Sequence, residues 1–228
     1  MTITFESTLG DLVAERPGAA RVLDRLGLDF CCHGDQTLGS ACDEAGLDPA
    51  AVAADLERGS DDAGPPDWTS LDPAALTDHL VDTHHRYLRD ELPSLDALAE
   101  KVLGVHGGRH PELQEIRAIV ALLAVDLPAH LDVEEQDLFP AVRSLEGGDP
   151  AVVRLQLDAL GDDHDDVGEL LARLRRITGG FRPPADGCAS FQLLYERLAA
   201  LEADTHLHVH KENHTLFPAV RRSLEPAS

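Results

Sequence analysis

Residues 130–143 read "HLDVEEQDLFPAVR", and 78 positions later residues 208–221 read "HVHKENHTLFPAVR". Both copies keep a His-x3-Glu pair and a closing Leu-Phe-Pro-Ala-Val-Arg, whereas the positions between these elements differ. Side chains four residues apart lie on the same face of an α-helix. The repeat therefore predicts two helices that each present one imidazole and one carboxylate in the same arrangement.

The repeat is part of a longer helical pattern. Breaks rich in Gly and Pro divide the chain after residue 72, and Asp72 and Asp186 are candidate N-caps. Short breaks between long helices imply antiparallel neighbours, so we expect an up-down-up-down four-helix bundle. The 78-residue offset pairs the second helix with the fourth, which predicts a duplicated hairpin whose repeated segments face each other across the core. The predicted helices cover residues 73–105, 111–146, 150–178 and 186–225.

Four prolines fall inside these predicted helices, at positions 93, 128, 140 and 218. Proline has no N–H to donate, and its ring clashes with the preceding turn of a helix. We therefore expect the helices to kink or to end locally at these positions.

A predicted linker separates the bundle from a smaller N-terminal region. Residues 58–72 are rich in Gly, Ser, Asp and Pro and show no apolar periodicity. We predict a small helical domain over residues 1–57, the linker over 58–72 and the bundle over 73–228. The aromatic content is only 4% and Leu, Ala and Val dominate, which favours packed helices over a sheet. The predicted fold class is all-α.

Composition and charge exclude several kinds of partner. The formal net charge of −23 argues against nucleic acid and anionic membranes, because both need a basic face. No apolar run approaches the roughly 20 residues of a membrane span, and the first residues lack the basic-then-apolar pattern of a secretory signal. We therefore predict a cytoplasmic protein. In that compartment the four cysteines are expected to serve as thiols or metal ligands rather than disulfides.

Helical phase selects the histidines that face the core. In the fourth helix, His208 and Glu212 continue an apolar seam that includes Leu194, Leu198 and Leu201, and the residues 78 positions earlier continue a matching seam. The rival stripe of this helix maps onto a polar face of the second helix. We therefore expect its members to lie outside the core: His206, His210 and His214.

The first and third helices each add one histidine. His164 is the only polar member of an apolar stripe in the third helix. Aligning it with His85 rather than His84 matches apolar neighbours in the first helix, so we prefer His85. His106 is in phase with His85 but lies 21 residues later, about 31 Å along a continuous helix, and is left outside the site. The predicted inward set is His85, His130, Glu134, His164, His208 and Glu212.

Four imidazoles and two carboxylates in an apolar core indicate a metal site. Buried carboxylates are costly without compensation, and the alternative to metal is a hydrogen-bonded His–Glu network. With Glu134 and Glu212 as bridges, each of two ions has about four protein ligands, which leaves room for an oxide or hydroxide bridge and an open position. Nitrogen and oxygen ligands suit iron or manganese, and imidazole also suits zinc.

The repeated His-x3-Glu-x3-Leu-Phe-Pro resembles the hemerythrin-type di-iron domain over about 155 residues. This resemblance implies two iron ions as cofactor. Oxygen-carrying hemerythrins have a second histidine where this chain has Gly168, and an aspartate where it has Glu212. These differences argue against reversible oxygen carriage and favour a more open, reactive centre.

The N-terminal segment "LGLDFCCHGDQTLGSAC", residues 26–42, resembles the small domain of the iron-sulfur cluster repair proteins of the YtfE/ScdA-like family. Cysteine is often only a small buried hydrophobic residue, but two adjacent cysteines beside Gly34 favour Cys31 and Cys32 as a functional thiol pair. Cys42 and Cys188 are expected to be structural. Adjacent cysteines form a disulfide only with strain, so we expect thiolate chemistry or transient metal contact. The residues that match the family pattern are Phe30, Cys31, Cys32, Gly34, Thr37 and Leu38.

The resemblance implies a protein that repairs, or supplies iron to, iron-sulfur clusters damaged by nitric oxide or oxidative stress. Its partners are then iron-sulfur client proteins and nitric oxide or oxygen, and a homodimer is compatible with the sequence. A hemerythrin-like sensor or binder of oxygen or nitric oxide remains an alternative, as does a nitric-oxide-reducing di-iron enzyme. An iron-donating repair protein fits the pattern better than an enzyme with steady turnover.

Overall fold

The computed structural model describes residues 2–16, 18–59, 68–143 and 150–224. In these ranges the regular secondary structure is helical, apart from one isolated β-bridge between Thr8 and Thr37. The predicted all-α fold class is therefore confirmed. Residues 60–67 of the predicted linker and residues 145–149 of the predicted break lie outside the described ranges. The division into residues 1–57, 58–72 and 73–228 stays a prediction.

The helices are numbered in chain order, and three one-turn π-helical segments are labelled separately. The α-helices are α1 (Leu9–Glu15), α2 (Ala19–Leu26), α3 (Leu38–Ala45), α4 (Pro49–Gly59), α5 (Pro73–Leu80), α6 (Arg86–His106), α7 (Glu112–Val133), α8 (Phe139–Arg143), α9 (Pro150–Ile177), α10 (Ala189–Lys211) and α11 (Phe217–Ser223). The π segments are π1 (Val81–His85), π2 (Glu134–Leu138) and π3 (Glu212–Leu216), and a 3-10 turn covers Trp68–Ser70.

The chain divides into two compact units. The first unit comprises Met1–Thr77 together with His206–Ser228, and the bundle unit comprises Asp78–Thr205. The division falls inside α5 and α10, so each of these helices contributes residues to both units.

Ion pairs and hydrogen bonds in the bundle unit establish the antiparallel order of its helices. Near the start of α6, Arg89 lies 2.8 Å from Asp132 at the end of α7, and Arg117 near the start of α7 lies 2.8 Å from Asp96 farther along α6. The α6–α10 pair runs the same way, with Glu91 paired to Arg197 and Lys101 to Ser190. The α7–α9 pair does likewise, since His130 contacts Asp163 and Glu115 contacts Arg173. This is the predicted four-helix bundle.

The bundle core is made of aliphatic side chains from all four helices. Leu92, Leu123, Leu171 and Leu198 have no exposed surface, and each comes from a different helix. They belong to one continuous cluster of buried side chains between residues 88 and 201. Burial of such side chains is the dominant favourable term in folding.

The predicted helix caps and the predicted breaks at proline agree with the structure only in part. Asp72 caps the first helix as expected, since its Oδ1 accepts a hydrogen bond from the Ala75 N–H at 2.9 Å. The predicted cap at Asp186 is wrong: α10 begins at Ala189, and Asp186 instead contacts His110. Pro93 and Pro128 lie inside uninterrupted α-helices. Pro140 and Pro218 follow π segments, so the backbone changes its hydrogen-bond register before each of these prolines rather than ending the helix.

The first unit has its own small core, formed by α1 to α4 and by Val209 of α10. Two matched helix starts shape it: Thr8 caps α1 by accepting from the Asp11 N–H, and Thr37 caps α3 by accepting from the Ser40 N–H. Gly27 ends α2 at φ +70°, a left-handed conformation that glycine adopts without strain. These stops and starts leave residues 28–37 as the segment that connects α2 to α3.

Among the described residues, no helix has both the length and the apolar character needed to cross a membrane.

Adjacent leucines of α7 test the assignment of the bundle core. Leu123 has no exposed surface and Leu122 is 50% exposed. We expect Leu123→Ala to lower the free energy of unfolding by about 2–5 kcal/mol, because it leaves a cavity. Leu122→Ala is the matched control and should change it by less than about 0.5 kcal/mol. Urea denaturation followed by circular dichroism measures both, and equal losses would contradict the helix orientation.

Candidate metal centre

Four of the six predicted metal ligands lie in the bundle unit, and all four are buried. π1 ends at His85, α7 carries His130, π2 begins at Glu134 and α9 carries His164. Glu134 has no exposed surface, and none of the three histidines is more than 8% exposed. Ligand atoms of His130, Glu134 and His164 lie within 4.8 Å of one another. Imidazoles and a carboxylate thus converge inside an apolar bundle.

The Glu134 carboxylate divides its two oxygens between the histidines. Oε2 lies 3.4 Å from His85 Nε2, and Oε1 lies 3.2 Å from His130 Nε2 and 4.0 Å from His164 Nε2. Within the part of the chain that the structure describes, neither oxygen has a hydrogen-bond partner. A carboxylate buried in this way is costly unless a cation compensates it. Because its oxygens face two different positions, Glu134 fits a carboxylate that bridges two cations.

Carboxylates at the edge of the bundle fix the tautomer of two of these imidazoles. His85 Nδ1 donates to Glu135 Oε1 at 2.9 Å, and His130 Nδ1 donates to Asp163 Oδ2 at 3.1 Å. In a neutral imidazole, a proton on Nδ1 leaves a lone pair on Nε2. The Nε2 lone pair of His85 then faces Glu134 Oε2 at 3.4 Å, and two such acceptors repel unless a cation lies between them. His130 Nε2 lies 3.1 Å from His164 Nε2 as well as 3.2 Å from Glu134 Oε1. Histidine ligands of metals commonly donate Nδ1–H to a carboxylate in this manner.

Glu135 is held in turn by Arg89. Arg89 Nη2 donates to Glu135 Oε1 at 3.1 Å and to Asp132 Oδ1 at 2.8 Å. Partial burial opposes ionisation of Glu135, but hydrogen bonds from His85 and Arg89 outweigh it and lower the pKa of this carboxyl. The carboxylate therefore stays charged at neutral pH and keeps orienting the His85 ring.

One-turn π segments place three of the predicted ligands. π1 ends at His85, whereas π2 and π3 begin at Glu134 and Glu212. Single π turns within α-helices are frequent at functional sites. The residue after π2 is Phe139, whose ring stacks on the His85 imidazole with centroids 5.5 Å apart. The retained Leu-Phe-Pro sequence therefore covers a predicted ligand, which the repeat alone did not indicate.

The remaining two predicted ligands, His208 and Glu212, belong to the first unit. His208 Nε2 lies 3.1 Å from Glu212 Oε1, which matches the 3.2 Å between His130 Nε2 and Glu134 Oε1. Their exposed fractions are 1% and 0%. Both copies of the sequence repeat thus fold into the same buried His–Glu pair.

The predicted location of the second histidine stripe in α10 and π3 is wrong. We expected His206, His210 and His214 on an outer polar face, but His210 has no exposed surface. His206 Nδ1 donates to Asp24 Oδ1 at 2.7 Å, and His210 Nδ1 donates to the Phe30 carbonyl at 3.2 Å. Burial lowers the pKa of His210 to about 3, so its ring is neutral. The prediction from helical phase failed because, within the first unit, these histidines pack on N-terminal segments of the chain. The periodicity of the α10 sequence does not reveal that another surface covers them.

The predicted functional thiols, Cys31 and Cys32, lie in the segment between α2 and α3. Their Sγ atoms are 3.8 Å apart, and the two cysteines are not joined by a disulfide. Asp29 Oδ1 accepts hydrogen bonds from the N–H groups of Cys31 and Cys32, at 3.0 and 2.9 Å, and from the Cys31 thiol at 3.2 Å. Burial opposes ionisation of Asp29, but the hydrogen bond from His33 and those from the cysteines lower its pKa to about 2. A hydrogen bond with Cys32, together with burial, raises the pKa of the Cys31 thiol well above its usual value.

Two side chains after α10 hold the carbonyl of Cys31. Asn213 Nδ2 donates to it at 3.2 Å and His214 Nε2 donates to it at 3.0 Å. Glycine is needed beside them, because a Cβ on Gly34 would overlap both the His214 ring and the Phe30 carbonyl. The Cys-Cys turn is therefore fixed from two directions within the first unit.

Several histidines and cysteines outside the predicted site are also paired. His84, the rejected neighbour of His85, is buried too, and its Nδ1 donates to Asp204 Oδ1 at 2.9 Å. His106 Nε2 lies 3.1 Å from Cys188 Sγ at the other end of α6, so His106 stands apart from the Glu134 group. Cys42 is buried as expected of a structural cysteine, whereas Cys188 is exposed.

Two buried glutamates of the bundle unit give a test that separates a ligand from a structural group. Glu134 and Glu202 are both at most 1% exposed, but Glu202 forms a double hydrogen bond with Arg175. In metal-free protein we expect Glu134→Leu to keep or raise the free energy of unfolding, by up to about 2 kcal/mol, because it removes a buried charge. Glu202→Leu should lower it by at least about 2 kcal/mol, because Arg175 loses its partner. Chemical denaturation with a chelator present measures both, and a large loss in Glu134→Leu would argue for a structural role.

A pair of glycine substitutions tests the packing of the Cys-Cys turn. Gly34→Ala should lower the free energy of unfolding by about 1–3 kcal/mol, since the new methyl group meets a backbone carbonyl that cannot move freely. Gly161→Ala in α9 has open space around it and should raise the stability by about 0.5–1 kcal/mol through helix propensity. Thermal denaturation compares the two, and a stabilising Gly34→Ala would refute the contact with His214.

Two family models match the chain. Residues 5–59 match ScdA_N, described as "Domain of Unknown function (DUF542)". Residues 76–223 match "Hemerythrin HHE cation binding domain", a description that agrees with the buried His and Glu groups of the bundle.

Named relatives are similar over nearly their full length. The iron-sulfur cluster repair protein ScdA of Staphylococcus haemolyticus is 31% identical over 94% of this chain and 98% of its own length. A probable iron-sulfur cluster repair protein of Haemophilus influenzae is 32% identical over 94% of this chain and 96% of its own. The iron-sulfur cluster repair protein YtfE of Enterobacter sp. is 30% identical over 93% and 96%. The resemblance predicted from the repeat and the Cys-Cys motif is confirmed, and the chain belongs to the ScdA/YtfE family of iron-sulfur cluster repair proteins, with a hemerythrin HHE cation-binding domain.

Proposed function

We propose that this protein repairs iron-sulfur clusters damaged by nitric oxide or oxidative stress, and that it does so with a di-iron centre. The names of its relatives support the repair of iron-sulfur clusters. The observation that carries the metal part of the proposal is the buried Glu134 carboxylate, which faces His85 with one oxygen and His130 with the other.

In this proposal the pair His208 and Glu212 supplies the second bridge and the fourth imidazole. The support is the matched geometry of the two His–Glu pairs, the complete burial of both glutamates and the position of each glutamate at the first residue of a π segment. The full set is then the six residues predicted from the sequence, which are His85, His130, Glu134, His164, His208 and Glu212. An oxide or hydroxide bridge between the ions stays a prediction.

Iron held by imidazoles and carboxylates supplies redox chemistry and open positions for nitric oxide or oxygen. The protein contributes orientation and exclusion of water. Glu135 and Asp163 keep the Nε2 atoms of His85 and His130 aimed inward. Glu134 has no exposed surface, so bulk water does not reach its carboxylate. The carboxylates of Glu134 and Glu212 also offset the charge of the cations.

Cys31 and Cys32 are proposed to take part in transfer or docking during repair. They lie beside Asp29 and His33 in a turn that is partly open to solvent at Cys32. The net charge of −23 favours iron cations and basic patches on client proteins. A cytoplasmic location and contact with iron-sulfur clients remain part of this proposal.

Restoration of a damaged cluster tests the proposal directly. Iron-loaded protein is mixed anaerobically with an iron-sulfur enzyme that has been inactivated by nitric oxide, and the return of enzyme activity is followed. We expect wild type to carry about two irons and to restore activity, because Glu134 and Glu212 are proposed as two bridging carboxylates. The double variant Glu134→Leu, Glu212→Leu should lose both properties. Glu169→Leu, at an exposed position of α9, is the control and should keep both.

Three results would contradict the proposal in different ways. If the double variant still binds iron, the proposed di-iron site is wrong. Reversible binding of nitric oxide by wild type without any reactivation favours a hemerythrin-like sensor. Steady consumption of nitric oxide with an electron donor, without client repair, favours a nitric-oxide-reducing enzyme.

A further inference from the structure

We propose that the turn from Asp29 to His33 is a second metal site, in which the thiolates of Cys31 and Cys32 and the carboxylate of Asp29 bind one thiophilic divalent cation. The binding claim stands on the first unit alone. Only the identification of the natural cation as iron in transit rests on the function proposed above.

The spacing of the donor atoms fits a single cation. Two thiolates bound to one tetrahedral ion at about 2.3 Å each are about 3.8 Å apart, and the Sγ atoms of Cys31 and Cys32 are 3.8 Å apart. Asp29 Oδ1 lies 3.2 Å from Cys31 Sγ, and the three ligand atoms all lie within 4.8 Å of one another. A disulfide is a poorer fit, because the sulfurs would have to approach to about 2.05 Å.

The turn is organised before any cation arrives. Asp29 fixes the N–H groups of both cysteines, so the two sulfurs project from a defined backbone. The carbonyls of Phe30 and Cys31 are held by side chains on the other side of the turn, His210 for the first and Asn213 with His214 for the second. Binding therefore requires little ordering of the chain, which is the main cost of assembling a site from a loop.

The donor set suits a cation that must leave again. Three protein ligands leave one tetrahedral position open, whereas structural sites are closed by four. Cys31 is buried, but Cys32 is partly exposed and His33 is exposed, so the open side faces solvent. His33 Nδ1 donates to Asp29 Oδ2 at 2.7 Å, which fixes the carboxylate from outside. Thiolates select softer cations than do the nitrogen and oxygen donors of the bundle.

Binding is a simple exchange of ions. Each thiol gives its proton to solvent as a sulfur–metal bond forms, so one divalent cation releases two protons and no electrons are transferred. Asp29 binds as the carboxylate that it already is.

Cobalt(II) is the probe for the test, because a thiolate-to-cobalt charge-transfer band reports sulfur ligands and is silent for a site of histidines and glutamates. Metal-free full-length protein is titrated with Co²⁺ under reducing, anaerobic conditions, and Zn²⁺ and Fe²⁺ are then added as competitors. We expect the band in wild type, in Cys188→Ser and in Glu134→Leu. Zn²⁺ should displace Co²⁺ directly, whereas Fe²⁺, which stands below Co²⁺ in the affinity order, should displace it only in large excess. We expect no band in the double variant Cys31→Ser, Cys32→Ser. In Asp29→Asn, which keeps an acceptor for the two N–H groups, we expect the Kd for Co²⁺ to rise at least about 10-fold.

Each outcome of this titration either supports the proposed metal site or overturns part of the proposal. Absence of the band from wild type, or its survival in the double serine variant, overturns the metal site. A band that Zn²⁺ displaces but a large excess of Fe²⁺ does not overturns iron as its cation. If wild type fails to repair a damaged cluster but keeps the band, the function proposed above fails while this site stands.

Discussion

The structure depends on a carboxylate with no exposed surface, that of Glu134, surrounded by three imidazole nitrogens at 3.2 to 4.0 Å. An apolar bundle would be more stable without it, since a buried charge costs several kcal/mol unless it is compensated. Several other features follow from keeping it there. Glu135 and Asp163 turn the imidazole rings of His85 and His130, π2 begins at Glu134 itself, and the Phe139 ring covers His85. Each of these features is intelligible as support for a cation at the carboxylate.

The segment from His206 to His214 serves two purposes within the first unit. His208 and Glu212 repeat the His–Glu pair of the second bundle helix, while His210 and His214 hold the carbonyls of the Cys-Cys turn. The two sets alternate along one helix, so polar side chains cover several of its faces although much of it is buried. A polar helix of this kind is stable only where specific partners satisfy its side chains. A backbone displacement at Glu212 would therefore also move Asn213 and His214, which contact Cys31.

The sequence predicted the all-α fold, the bundle and the family because each left a signal that local rules can read. The 78-residue repeat identified Glu134 and Glu212 as matching candidate ligands. The apolar neighbours of His85 along its helix favoured it over His84. Other features left no such signal. A π turn changes the hydrogen-bond register over five residues without altering composition, and Asp163 is one of four aspartates between residues 162 and 166 that only geometry distinguishes. His210 was misplaced because periodicity reveals that a face is polar but not that polar partners cover it.

The chain offers two different sets of side chains that could bind a metal ion. The bundle offers imidazole and carboxylate, and the Cys-Cys turn offers thiolate with one carboxylate. Ferrous iron accepts both kinds of ligand and stands low in the affinity order of divalent metals, so neither set should hold it irreversibly. That is what a protein requires if it is to give iron up again. A closed site of four thiolates would trap the cation, whereas a turn with three donors and an exposed edge lets a client's own thiolates displace them one at a time. The incomplete donor set at Asp29, Cys31 and Cys32 is therefore better suited to handing iron on than to storing it.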